Sequence, residues 1–301
     1  MNSVTYNILT HKIKRLSNLP AMPAILAALC DALSVSPNDV DVDFVIQQIS
    51  YDKSLAAQCL RLANSALFRR RGEVASVREA VMALGIWRVR DLAFSCGIPT
   101  MFANLKIPCD KEHFWRHSLA TPLLAQSLGT RITLKSQNQT YLCGLLHDIG
   151  ILLNGVLFPE EFQGILRESH SKQLPIEDTE YDILGFTHTE TGRILAELWR
   201  LPIEVGECIE FHHHPEHQQS DATLTLLVQA ADLFCSSNGL GYTANLHDPT
   251  TPTRNEIWLQ LCGRFPAAAK LSTESASLFL DESIESARSL ADHVFAPAAT
   301  H

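Results

Sequence analysis

Apolar residues recur at intervals of three and four along almost the whole chain, and stretches that alternate apolar and polar residues are nearly absent. The first pattern places apolar side chains on one face of an α-helix, whereas alternation is typical of a half-buried strand. The sequence therefore predicts an all-α fold. With 301 residues, the chain is long enough to bury a sizeable core without disulfide or metal support.

Capping residues, prolines and glycines divide this pattern into separate helices. Asp43 and Asp52 are expected to cap two of them, because a short acidic side chain can accept hydrogen bonds from the first free amides of a helix. The segment 236–253 is rich in Gly, Ser, Asn, Thr and Pro and is predicted to be a loop. The predicted helices are Ala24–Ser34, Phe44–Ile49, Lys53–Leu67, Ser76–Leu84, Ile86–Phe102, Lys111–Arg131, Gln139–Leu152, Pro159–His170, Ile176–Leu184, His188–Trp199, Pro202–His213, Ala222–Cys235 and Ser272–Phe295.

Charge and cysteine usage exclude several classes of protein. The formal net charge is -9, which argues against nucleic acid as a partner. No segment reaches about 18 uninterrupted apolar residues, so a membrane span is not expected. The eight cysteines form no C-x-x-C pair and lie mostly in apolar helical patterns. We expect reduced thiols in the core of a cytoplasmic protein.

Histidine is the unusual residue of this sequence. The chain has 13, and nine of them fall between residues 113 and 217. Five predicted helices each place an ionisable side chain on an otherwise apolar face. A buried carboxylate without a partner costs several kcal/mol, so Asp148 and Asp232 need partners. The candidate residues are His117, His147, Asp148, His188, His212, His213 and Asp232.

Two interpretations of this set are open from the residues alone. A single histidine on an apolar face is usually a hydrogen-bonded core residue, whereas several that converge with two carboxylates indicate a metal site. Imidazole and carboxylate together suit Fe, Mn, Zn, Ni or Co, and the absence of cysteine from the set argues against a soft-metal site. His214 falls on the face of Glu207 and Glu210 and is expected to be exposed.

The residues around this set resemble a known superfamily. L-C-G-L-L-H-D-I-G (142–150) resembles the core motif of the HD superfamily of metal-dependent phosphohydrolases, and the order of the candidate residues matches its H…HD…D ligands. The first half resembles the HDOD family, the HD-related output domain, in L-P-A-M-P (19–23), D-K-S-L-A-A-Q-C-L-R-L-A-N-S-A (52–66) and S-V-R-E-A-V-M-A-L-G (76–85). The resemblance implies a bacterial signalling protein with an HD-superfamily helical fold preceded by an N-terminal helical bundle.

On this basis the chain divides into three predicted parts. Residues 1–109 form the N-terminal helical part of the HDOD domain, 110–237 form the HD-like helical core with the metal site, and 238–301 form a loop and a C-terminal helical extension.

The resemblance also implies a ligand set for one or two divalent transition metal ions. Asp148 matches the carboxylate that bridges two metals. The ligands of the first metal are matched by His117, His147, Asp148 and Asp232, and the additional ligands of the related HD-GYP phosphodiesterases are matched by His188, His212 and His213.

Three positions depart from the phosphodiesterase pattern. Ile151 stands where those enzymes have a lysine that helps to hold phosphate, and the G-Y-P signature is replaced by H-P-E-H-Q-Q-S. His113, beside Glu112, stands where some relatives have a glutamate ligand. We expect His113 and Ile151 to lie around the metal ligands or to line their cavity.

Two functions remain open at this stage. The chain can be a regulatory output protein that acts through signalling partner proteins, with a metal site that is structural or a vestige. The missing lysine and G-Y-P favour this hypothesis. Alternatively, it can be a metal-dependent phosphohydrolase that takes a nucleotide or another phosphoester as its ligand, which the complete ligand set favours.

Overall fold

The computed structural model describes residues 3–15, 22–32, 39–65, 68, 72–132, 134, 139–240, 254–270 and 273–295. Within these ranges the regular structure is helical and contains no strand. The prediction of an all-α fold is confirmed.

The chain forms two compact units, and the three-part division of the sequence stays a prediction. The smaller unit comprises residues 20–104 and 289–301, and the larger comprises 1–19 and 105–288. The smaller unit contains α2 (Ala24–Ala32), α3 (Val42–Tyr51), α4 (Lys53–Ala63), α5 (Val77–Leu84) and α6 (Ile86–Phe102). The larger unit contains α1 (Ser3–Arg15), α7 (Lys111–Arg131), α8 (Thr140–Leu146), α9 (Ile149–Leu157), α10 (Pro159–Lys172), α11 (Ile176–Leu184), α12 (His188–Leu198), α13 (Ile203–Phe211), α14 (Thr223–Cys235), α15 (Arg254–Arg264) and most of α16 (Thr273–Phe295).

Side-chain caps explain where α3 and α4 of the smaller unit begin. Asp52 accepts hydrogen bonds from the first turn of α4, as predicted. The prediction that Asp43 caps α3 is wrong, because the side chain of Asp41 accepts the amide of Phe44 at 2.9 Å. Asp43 instead forms an exposed ion pair with Arg78 at 2.7 Å.

The end of α4 also differs from the prediction, which extended this helix to Leu67. The helix ends at Ala63, and Asn64 follows as its C-cap. The Asn64 side chain donates to the carbonyl of Val74 at 2.9 Å and accepts its amide at 2.8 Å. These two bonds hold the chain in a turn and therefore compete with further helix.

Two helices of the larger unit end at histidines where the sequence predicts continuous helix. The predicted helix Gln139–Leu152 is interrupted at His147, whose ring Nδ1 lies 2.8 Å from the carbonyl of Gly144. The helix predicted to reach His213 ends at Phe211, and the ring Nδ1 of His212 lies 2.9 Å from the carbonyl of Ile209. In each case an imidazole takes a carbonyl of the last turn, which competes with the helical hydrogen-bond pattern.

Close helix contacts in the larger unit depend on glycine. A Cβ on Gly144 of α8 would lie 2.7 Å from Pro122 Cα of α7. A Cβ on Gly150 of α9 would lie 1.9 Å from the carbonyl oxygen of His188, at the start of α12. Both glycines therefore let the backbones that carry the candidate ligands approach each other.

Burial accounts for the most apolar segment and for most of the cysteines. Thr140–Leu157 is apolar and long enough to cross a membrane by composition, yet 89% of it is buried inside the protein. All eight cysteines are free thiols, and six of them are buried. This agrees with the prediction of reduced core thiols.

Candidate metal centre

The seven candidate residues come from five helices of the larger unit, or from the breaks that follow them. His117 lies in the middle of α7, His188 is the first residue of α12, and Asp232 lies on α14. His147 and Asp148 occupy the break between α8 and α9, and His212 and His213 follow α13. The structure brings all seven together.

Four of the imidazoles are oriented by their Nδ1 atoms. The Nδ1 atoms of His147 and His212 face the carbonyls of Gly144 and Ile209, as described for the helix ends. That of His117 lies 2.9 Å from the carbonyl of Leu240, and that of His188 lies 2.6 Å from Glu180 Oε2. Carbonyl and carboxylate oxygens only accept, so each Nδ1 carries the proton and each neutral ring presents the lone pair of Nε2.

The Nε2 atoms converge on Asp148. Asp148 Oδ2 lies 3.2 Å from His147 Nε2 and 3.7 Å from His117 Nε2. Its other oxygen, Oδ1, lies 3.2 Å from His212 Nε2 and 3.5 Å from His188 Nε2. Asp148 thus divides the imidazoles into two groups, one at each oxygen.

Each group has a further member. Asp232 Oδ1 lies 3.2 Å from His117 Nε2, and His213 Nε2 lies 3.2 Å from His188 Nε2. Asp232 in turn accepts a hydrogen bond from Ser236 at 3.3 Å.

These distances fit donors that share an ion. Two donors about 2.1 Å from one metal and 90–110° apart are separated by about 3.0–3.4 Å. His117 Nε2 and His147 Nε2 lie 3.2 Å apart, although both rings have their protons on Nδ1. Among the described residues no hydrogen-bond donor faces the buried His212 Nε2, whose neighbour at 3.2 Å is Asp148 Oδ1. Lone pairs that face each other in a buried site need a cation or a proton between them, and a divalent metal satisfies them together.

Burial and neighbouring charges raise the pKa values of two of these imidazoles and lower those of two others. Burial lowers the pKa of His147, but the charge and hydrogen bonding of Asp148 together with the charge of Asp232 outweigh burial and raise the pKa to about 9. Burial also lowers the pKa of His188, but the charge and hydrogen bond of Glu180, together with nearby acidic groups, raise it to about 9. Burial lowers the pKa of His212 and of His213.

Both carboxylates stay ionised. Burial by itself would raise the pKa of Asp148, but His147 and its other imidazole neighbours hold it well below its usual value. Burial by itself would also raise the pKa of Asp232, but the neighbouring His117 and the charge of His147 lower it to about 2. The centre therefore combines two carboxylates with five imidazoles, a donor set that suits Fe, Mn, Zn, Ni or Co.

Glu180 is a residue of this centre that sequence reasoning missed. It is completely buried on α11, and it accepts both the amide and the Nδ1 proton of His188. One signal was available in the sequence: Glu180 lies four residues after Ile176, on the apolar face of its helix. The carbonyl of Leu240, which orients His117, left no signal because any residue supplies a carbonyl.

The remaining candidate residues lie as follows. His113 is half-buried one turn before His117 on α7, and its amide donates to the N-cap Asp110. Ile151 is 1% exposed, but it lies in α9, which begins at Ile149 after the break, so it does not share a continuous helix with His147. Whether Ile151 lines the cavity stays a prediction. The side chain of His214 is 53% exposed, as predicted.

The fold and the centre define a class of protein, namely an all-helical protein with a cluster of histidines and aspartates that could hold metal. Residues 19–215 match the family model of the HDOD domain. The chain belongs to the HDOD family.

Solved structures share this fold. An HDOD domain protein of unknown function from Geobacter sulfurreducens has a TM-score of 0.84 and 26% identity, covering 98% of this chain and 100% of that one. A protein from Shewanella amazonensis SB2B that bears the name "Putative phosphohydrolase" has a TM-score of 0.74 and 23% identity, covering 95% of this chain and 97% of that one.

A curated relative extends the comparison beyond solved structures. An uncharacterized protein from Treponema pallidum (strain Nichols) is 27% identical over 209 residues. The match covers 67% of this chain and 39% of that protein.

Proposed function

We propose that this protein is a signal-transduction output protein of HDOD type whose larger unit holds a two-metal centre, and that the centre stabilises and regulates the unit. The observation that carries the proposal is the position of Asp148. Its two oxygens face separate groups of imidazoles at 3.2–3.7 Å, as a carboxylate does when it bridges two metals.

Access to the centre favours a regulatory role over turnover. The side chains of Asp148 and Asp232 are only 8% and 13% exposed. Ile151 offers neither a charge nor a hydrogen bond to a phosphate, at the position where related phosphodiesterases have lysine. A phosphoester at this site would therefore find the metal ligands but not the lysine that helps to hold phosphate in the related enzymes.

A regulatory protein of this kind needs partner proteins. The smaller unit exposes large apolar side chains, among them Tyr51 at the end of α3 and Met82 on α5, which are 73% and 82% exposed. Exposed apolar side chains mark a protein interface where they form a contiguous patch. We propose that a signalling partner in the cytoplasm binds the smaller unit.

The second candidate function is a metal-dependent phosphohydrolase that acts on a nucleotide or another phosphoester. It is favoured by the full donor set of five imidazoles and two bridging or terminal carboxylates. Bound metals of this kind lower the pKa of a water molecule and neutralise charge on phosphoryl oxygens. The chain's own contribution would be to orient the Nε2 donors through their fixed Nδ1 bonds.

Elemental analysis of the purified protein, followed by a phosphoester screen with metal added, separates the two functions. Two tightly bound metals per chain without turnover support the regulatory proposal. Turnover that is lost in Asp148→Ala supports the phosphohydrolase instead, and a protein without bound metal contradicts both.

A further inference from the structure

Glu180 is a buried carboxylate that forms an ion pair with His188. Its Oε2 lies 2.6 Å from Nδ1 and 2.7 Å from the amide of His188, and its Oε1 accepts from Asn154 at 2.9 Å. In the part of the chain that the structure describes, His188 is its only ion-pair partner. A buried carboxylate is destabilising unless a cation compensates it. That cation is either a proton on His188 or a metal bound to its Nε2.

If Glu180 is not counted, the donors at the two metal positions differ in total negative charge. Asp148 and Asp232 both lie beside His117, so two carboxylates serve the first metal position. His188, His212 and His213 are neutral donors, and the second position has only the shared Asp148. A divalent ion at the second position would therefore have less compensating charge in a buried environment.

The geometry points to Glu180 as the positioning residue of the second metal position. Its charge, transmitted through the Nδ1 hydrogen bond of His188, sets how tightly this position binds metal. The inference rests on the proposed two-metal centre. A carboxylate that accepts the Nδ1 proton fixes the ring and makes Nε2 a stronger donor, and loss of such a partner typically weakens metal binding about 10- to 100-fold.

Glu180→Gln tests the charge without removing the hydrogen bonds. The new carbonyl oxygen can accept both protons of His188. Asn154 Oδ1, which is buried without a hydrogen-bond partner, can turn to accept the new amide. Glu177→Gln is the matched control, because this half-buried glutamate lies one turn earlier on α11 and contacts His214 at 3.3 Å.

Zn²⁺ titration with elemental analysis is the assay. We expect two Zn²⁺ per chain in the wild type and in Glu177→Gln. In Glu180→Gln we expect one site to weaken about 10- to 100-fold while the other keeps its affinity. Two sites of wild-type affinity in Glu180→Gln would overturn the inference and leave the two-metal centre intact. A wild type that binds fewer than two Zn²⁺ would overturn both.

A second measurement avoids dependence on the folding of one variant. In His188→Ala the buried Glu180 has lost its partner, so adding Glu180→Gln should raise the melting temperature. It should also leave the remaining Zn²⁺ affinity unchanged, since the effect on metal runs through His188. A lower melting temperature, or a further loss of Zn²⁺, in the double variant would show that Glu180 acts as a structural residue and would overturn the inference.

Discussion

Asp148→Ala is the most informative single change in this protein, because its two oxygens serve both groups of imidazoles. A metal that binds only the folded state at 100 times its dissociation constant stabilises that state by about 2.7 kcal/mol. In a domain of 150–250 residues, about 1 kcal/mol shifts the melting temperature by about 2–4 °C. Metal should therefore raise the melting temperature of the wild type by about 5–10 °C.

The assay is thermal unfolding of each variant with saturating metal and with EDTA. The difference between the two conditions isolates the metal from the other effects of the substitution. Asp148→Ala should reduce this difference to near zero, while Asp178→Ala, an exposed change on α11, should keep the wild-type value. A wild-type melting temperature that does not change with EDTA would refute the reasoning, since metal would then contribute little to the fold.

Three further predictions concern pH, helix packing and catalysis. In the metal-free folded protein, His147 and His188 hold a second ring proton, and with it a positive charge, up to about pH 9. In the unfolded chain they lose this proton near pH 6.5. The free energy of unfolding should therefore fall as pH rises from 6.5 to 9, and a rise, measured by urea unfolding with EDTA present, would contradict these pKa values. Gly150→Ala should prevent folding or lower the free energy of unfolding by about 3 kcal/mol or more, because the new Cβ would collide with a backbone carbonyl. Gly164→Ala, whose new Cβ meets open space, should raise the free energy of unfolding, measured by chemical denaturation, by about 0.5–1 kcal/mol. Wild-type hydrolysis of cyclic dinucleotides should be weak or absent with metal added, and Ile151→Lys should recover part of the rate, about 10- to 150-fold, that a missing charge-assisted hydrogen bond costs. A loss of folding without that gain would show that the side chain faces the core.

The spacing of apolar residues and the helix caps were sufficient to predict most of the helices. Lys111–Arg131, Ile86–Phe102 and Ile176–Leu184 have the predicted bounds. These segments succeed because their ends depend on residues within one turn, such as Asp110, whose side chain accepts the amide of His113 at 3.0 Å. The identity of the candidate donors was likewise readable, because ionisable residues on apolar faces are rare and costly.

The helix ends at His147 and His212 were beyond sequence reasoning. Both residues fit a helical pattern, and both instead use a ring nitrogen to take a carbonyl of the preceding turn. That choice is favourable in the folded centre, where the same bond directs Nε2 toward Asp148. In an isolated helix the backbone amide would compete for that carbonyl.

The sequence by itself determined the helical class of this protein, its family motifs and the residue types that could bind metal, because these follow from local spacing and side-chain chemistry. The tertiary structure alone decided which donors face which oxygen of Asp148. It also assigned Glu180 and the carbonyl of Leu240 their parts in orienting His188 and His117. Leu240 is 123 residues from His117, so the pair forms only when helices distant in sequence pack together.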